Sequence, residues 1–77
     1  MQKSLSGAIK NMRIKALMSQ EDLAKTLRVS VGTINRWENG KTCPNITAMN
    51  HIKAFCVERD LPYETIESEW LKKKEAR

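Results

Sequence analysis

At 77 residues, with 40% hydrophobic and 30% charged side chains, the chain is long enough for one small domain whose core depends on close packing. Leu, Ile, Val and Met are spread evenly, which excludes a disordered chain; three Gly, two Pro and no alternating β-branched run exclude a β-rich fold. The net charge of +5 is uneven: residues 1–44 carry Lys3, Lys10, Arg13, Lys15, Lys25, Arg28, Arg36 and Lys41 against Glu21, Asp22 and Glu38, whereas residues 45–77 balance.

A basic amino-terminal half suits a polyanion such as nucleic acid, although a solubilising surface accounts for the charge as well. The terminus Met1-Gln2-Lys3-Ser4 is too short and polar for a secretory signal, so Cys43 and Cys56 are expected as reduced thiols in a soluble intracellular protein. No apolar run approaches the ~20 residues of a membrane span.

The first predicted helix runs from its cap at Ser4 to about Leu17, with Leu5, Ile9, Met12 and Ala16 along one face. Arg13 sits on the flank of that face, where a charge needs a carboxylate to meet it. Ser19 caps the second helix, and Asp22 stands where a capping-box acid belongs. Glu21 and Asp22 complement the positive helix end, and Leu23, Ala24 and Leu27 face inward. Arg28 and Val29 make a turn. Ser30 caps the third helix, Val31 to about Glu38, which Asn39-Gly40 closes. At about 100° per residue, Ile34 and Trp37 point inward with Glu38 on their flank. Gly32, Asn35 and Arg36 point outward, with Val31 at the exposed amino-terminal end.

Thr42-Cys43-Pro44 reads as a linker and Asn45 as the cap of a fourth helix, with Ile46, Met49, Ile52 and Cys56 inward and Phe55 beside them. The chain then turns through Glu58-Arg59-Asp60-Leu61. Asp60, before Pro62, marks the start of a fifth helix with Tyr63, Ile66, Trp70 and Leu71 as its apolar stripe. Lys72-Lys73-Lys74 complement its carboxyl end. That stripe serves either to pack on the same domain or to form a dimer interface.

His51, Cys43 and Cys56 lack the spacing of a four-ligand zinc site, and no nucleophile–base pair, phosphate loop or paired carboxylates stand out. No metal, cofactor, catalytic residue or enzyme activity is expected. Trp37 reads as core rather than as a stacking platform for single strands.

The segments S-Q-E-D-L-A-K-T-L and V-S-V-G-T-I-N-R-W-E-N-G-K-T-C-P resemble the helix-turn-helix of the phage-repressor and Cro family, also called the XRE family. The likeness spans Leu5 to Cys56. It rests on Gln20 opening the second helix, Leu23-Ala24 within it, Ile34 within the third, Trp37-Glu38-Asn39-Gly40-Lys41 closing that one, and Pro44 soon after. The sequence departs from the family at Arg28, where a glycine is usual. A side chain at a left-handed position costs on the order of 1 kcal/mol, and Arg28 either reaches a phosphate or is simply solvated.

The resemblance implies an all-α, five-helix, lambda-repressor-like domain, divided into a helix-turn-helix DNA-binding domain over residues 1–57 and a carboxyl-terminal helix over residues 58–77. It implies sequence-specific binding of double-stranded DNA by a transcriptional regulator of repressor type, with the third helix in the major groove. Arg36 would be the leading base reader, its fork matching the two acceptors on a guanine edge. Val31 would pack on a thymine methyl. Gly32 stands where relatives carry a polar base-contacting side chain, and Asn35 reads a base, meets a phosphate or is merely solvated. Gln20 resembles the family's phosphate-binding glutamine, with Arg28, Ser30, Thr33, Asn39, Lys41 and Thr42 placed along the backbone edges. In relatives an arginine on the first helix meets the glutamate of E-N-G, which implies an Arg13–Glu38 pair.

A homodimer on a palindromic operator, in the cytoplasm of a bacterium or encoded by a phage, completes the expectation. Two rivals remain open: the antitoxin of a toxin–antitoxin pair, and an adaptor that bridges protein partners without reading DNA. A toxin or polymerase partner belongs to those readings.

Overall fold

Four helix starts are set by side chains that accept an otherwise unpaired backbone hydrogen. The Ser4, Ser19 and Ser30 hydroxyls accept from the N–H groups of Gly7, Asp22 and Thr33, and the Asn45 side chain accepts from Ala48. Ser19 and Asp22 form the expected reciprocal capping box. The computed structural model describes residues 4–75 and contains α1 (Leu5–Lys15), α2 (Gln20–Leu27), α3 (Val31–Glu38), α4 (Ile46–Arg59) and α5 (Glu64–Glu75). The architecture is all-α with five helices and no strand among the described residues. Expectations for Met1, Gln2, Lys3, Ala76 and Arg77 lie outside those residues.

The helix ends follow one rule. Leu17, Arg28, Gly40 and Asp60 adopt left-handed backbone with φ of 60, 63, 75 and 58°. The next N–H in each case reaches back to a carbonyl five residues earlier: Met18 to Arg13 at 3.2 Å, Val29 to Ala24 at 3.0 Å, Lys41 to Arg36 at 2.9 Å and Leu61 to Cys56 at 2.8 Å. Gly40 alone of these does so without a Cβ to accommodate.

Two predicted boundaries move for this reason. α1 ends at Lys15, because Leu17 already turns left-handed. Asp60 closes α4 and does not open α5, so Glu58 and Arg59 are helical and Pro62 lies outside any first turn.

The core collects Leu5, Ile9 and Met12 from α1, Leu23, Ala24 and Leu27 from α2, and Ile34 and Trp37 from α3. Met49, Ile52, Phe55 and Cys56 come from α4 and Ile66 from α5. Ile46 is a correction: it is 67% exposed. The inward arc of α4 is centred on Ile52 with Ala48 inside it, and Ile46 lies about 60° beyond Met49 on the helical wheel, past the edge of that arc. Leu71, assigned to the apolar stripe of α5, is also exposed, at 45%, whereas Tyr63 and Trp70 are half-buried against the core.

Pro44 is more than a linker residue. It is fully buried, and its carbonyl accepts a 2.7 Å hydrogen bond from Trp70 Nε1, which ties α5 to the loop after α3. α5 also lies against α1. Cys56 is fully buried with Sγ 3.6 Å from Met12 Sδ; burial, helped by the charge of Glu64, pushes its thiol pKa up to about 11. Cys43 is exposed, and both thiols are free. Among the described residues no helix is long and apolar enough to cross a membrane.

Candidate nucleic-acid interface

α2 and α3 pack directly on each other, and the turn between them is fixed by Arg28. Its N–H reaches the Ala24 and Lys25 carbonyls, its left-handed conformation brings the Val29 N–H back to Ala24, and its side chain remains exposed. Ala24, 4% exposed, allows the two helices to approach closely, and Leu23, Leu27, Ile34 and Trp37 fill the angle between them. His51 fastens the far end of α2: its Nδ1 lies 3.1 Å from the Leu27 carbonyl, so Nδ1 carries the hydrogen and donates it.

The inner side of α3 ends in a charged network. Arg13 Nε donates to Glu38 Oε2 at 2.7 Å and Nη2 donates to Oε1 at 3.0 Å, a two-pronged pair. The side chains are 14% and 4% exposed, so the expected ion pair lies largely out of water. Arg13 Nη1 donates to the Met18 carbonyl at 3.0 Å. The hydrogen bond and the charge of Glu38 together raise the Arg13 pKa above its already high ordinary value, against a smaller opposing effect of burial. Gln20 joins them, its Nε2 donating to Glu38 Oε1 at 3.1 Å. One N–H of this amide is therefore engaged inside the fold, and the second stays available for an acceptor beyond it.

The outer side is built differently. Asn35 and Arg36 are exposed, Val31 is 43% exposed, and none of them helps fill the core. Thr33 Oγ1 lies 2.9 Å from Ser30 Oγ and accepts from Arg36 Nη2 at 3.4 Å. Asn39 Nδ2 donates to Asn35 Oδ1 at 3.0 Å, and Lys41 and Thr42 follow on the exposed loop that Gly40 turns. The residues named from the sequence thus fall into two groups. Val31, Gly32, Asn35 and Arg36 share the free face of α3, whereas Ser30, Thr33, Asn39, Lys41 and Thr42 sit at its ends, with Arg28 in the preceding turn and Gln20 at the start of α2. Sequence reasoning missed the Gln20–Glu38 bond, the His51 tether and the Trp70–Pro44 bond.

This face offers hydrogen-bond donors, a guanidinium and a small apolar surface on a helix whose other side is packed into the core and tied by Glu38. It has the chemistry to meet base edges and phosphates.

The helix-turn-helix family profile matches residues 9–49, more than half of the chain. A type II methyltransferase, M1.ScrFI of Lactococcus lactis subsp. cremoris, is 39% identical over 54 residues, a stretch that covers 66% of this chain and 14% of the methyltransferase. The chain thus spans only a small part of that relative. No solved structure matches it. The profile match, together with the α2–turn–α3 geometry, establishes that the chain belongs to the helix-turn-helix family of DNA-binding domains, of the Cro and phage-repressor type.

Proposed function

We propose that the chain binds double-stranded DNA sequence-specifically as a transcriptional regulator of repressor type, with α3 lying in the major groove. The observation that carries this reading is the free face of α3, which presents Arg36, Asn35 and Val31 while the core takes nothing from them. A major groove about 12 Å wide accepts such a helix. Arg36 reads a guanine edge, Val31 packs on a thymine methyl, and Asn35 and the backbone at Gly32 approach neighbouring base pairs. Gln20, Arg28, Ser30, Thr33, Asn39, Lys41 and Thr42 hold the flanking phosphates, Gln20 through its remaining amide hydrogen. The excess of Lys and Arg in residues 1–44 supports a steep dependence of affinity on salt.

A second copy would double a contact area that is small for one reader, so the target is expected to be palindromic and the working form a dimer in the cytoplasm. Selection of bound duplexes from a random pool at fixed salt tests the proposal. An enriched inverted repeat with half-sites about one helical turn apart is expected. Enrichment of a single unrepeated site would remove the dimer and keep the reading of DNA. No enrichment would sink the DNA reading and favour the adaptor.

A further inference from the structure

Gly32 stands where a base-reading side chain is expected and has none. The Arg36 guanidinium lies beside that space. Arg36 Nη1 lies 3.5 Å from where a Cβ on Gly32 would stand, and Ser30 Oγ lies 3.8 Å from the same point. We infer that Gly32 is a specificity-determining position because it seats Arg36, so that the guanidinium reads the base pair that a side chain at position 32 would otherwise meet. The inference rests on the DNA reading proposed above and deepens it.

Three features place the guanidinium there. Long side chains on a helix lean toward its amino terminus and lie over the residues three and four earlier, which for Arg36 are Thr33 and Gly32. Thr33 Oγ1 accepts from Arg36 Nη2 at 3.4 Å, a long contact that draws the fork toward the same turn. Thr33 is itself held by Ser30, whose Oγ lies 2.9 Å from Thr33 Oγ1 and is fixed because it accepts the Thr33 N–H at 3.0 Å as the cap of α3.

The fork therefore rests on the first turn of α3, the part of a recognition helix whose residues meet base edges. A Cβ at position 32 would stand in ordinary contact with the guanidinium, so the two positions share one surface of that turn. Two reading positions of the helix are thereby merged into one. Of the five N–H donors of Arg36, Thr33 engages only one, which leaves a pair to match the two acceptors of a guanine.

Duplex selection with the wild-type chain, Arg36→Ala and Gly32→Gln tests this. The wild-type chain should prefer G·C at one base pair by about tenfold or more, and Arg36→Ala should relax that pair. Gly32→Gln should abolish the G·C preference at the same pair and turn it toward A·T, because a glutamine amide matches the paired donor and acceptor of adenine. Loss of the G·C preference there supports the shared seat, with or without a new one. Glutamine is a better helix former than glycine, so thermal melting of Gly32→Gln should show a folded domain. A Gly32→Gln protein that keeps G·C at the Arg36 pair, whether or not it gains a preference elsewhere, overturns the inference and leaves the DNA reading intact. A wild-type chain that enriches no sequence overturns both.

Discussion

The inner and outer faces of α3 use the same chemical group under opposite conditions. On the inner face the Arg13 guanidinium meets Glu38 by two hydrogen bonds at 2.7 and 3.0 Å, with both side chains largely out of water. On the outer face the Arg36 guanidinium stands in solvent with one long 3.4 Å contact to a hydroxyl. Burial makes the inner partner obligatory, since a charge stranded away from water is expensive. Exposure leaves the outer one free to exchange water for an external acceptor. Eight residues of helix thus hold the fold with one face and keep the other uncommitted.

The strongest attempt to break this contrast removes one charge from each face. Glu38→Ala leaves Arg13 and Gln20 without their shared acceptor and should cost roughly 3–5 kcal/mol of stability, the range for breaking a buried pair. Arg36→Ala deletes an exposed side chain and should change stability by no more than about 0.5 kcal/mol. Denaturant unfolding of both variants measures the difference. Equal midpoints would mean that the inner pair is no more structural than the outer arginine.

How much of this was legible in the sequence depends on the range of each interaction. The caps at Ser4, Ser19, Ser30 and Asn45 act on backbone three residues away and could be read directly. The Arg13–Glu38 pair spans 25 residues, yet both charges sit on inward flanks, and the family likeness supplied the match. Gln20 carries no such mark: a glutamine opening a helix looks solvated until Glu38 is brought to it. The tethers of His51 and Trp70 end on backbone carbonyls 24 and 26 residues away. Every residue has a carbonyl, so no residue type announces that partner. Ile46 and Asp60 were misread for a local reason: periodicity carried one residue past the inward arc, and an acid before proline looked like a start when it was a stop.

A neutral donor on the inner side sharpens the comparison at a smaller scale. Trp70→Phe keeps an aromatic ring against the core and removes the indole N–H that reaches Pro44. Because Pro44 is fully buried, its carbonyl loses a partner, and the cost should be about 1–2 kcal/mol. Hydrogen exchange should locate the loss, with faster exchange along α5 and little change in α2 and α3. Uniform acceleration in all helices would show that α5 is part of one cooperative unit with the reading element.

The smallest effects lie at the left-handed helix ends, and they should run in the opposite direction. Leu17 is 91% exposed, so Leu17→Gly gives up no burial and relieves a left-handed conformation that costs a side chain on the order of 1 kcal/mol. The greater freedom of glycine in the unfolded chain offsets part of this, which leaves an expected gain of about 0.5 kcal/mol. Asp60→Gly should gain less, because aspartate tolerates this conformation better. Arg28→Gly is the informative case. If its side chain only faces outward, its denaturant midpoint should rise as much as that of Leu17→Gly, with the slope of the transition unchanged. A smaller rise would mean that the Arg28 side chain contributes to the fold, and it would move this turn from the outer group of residues to the inner one.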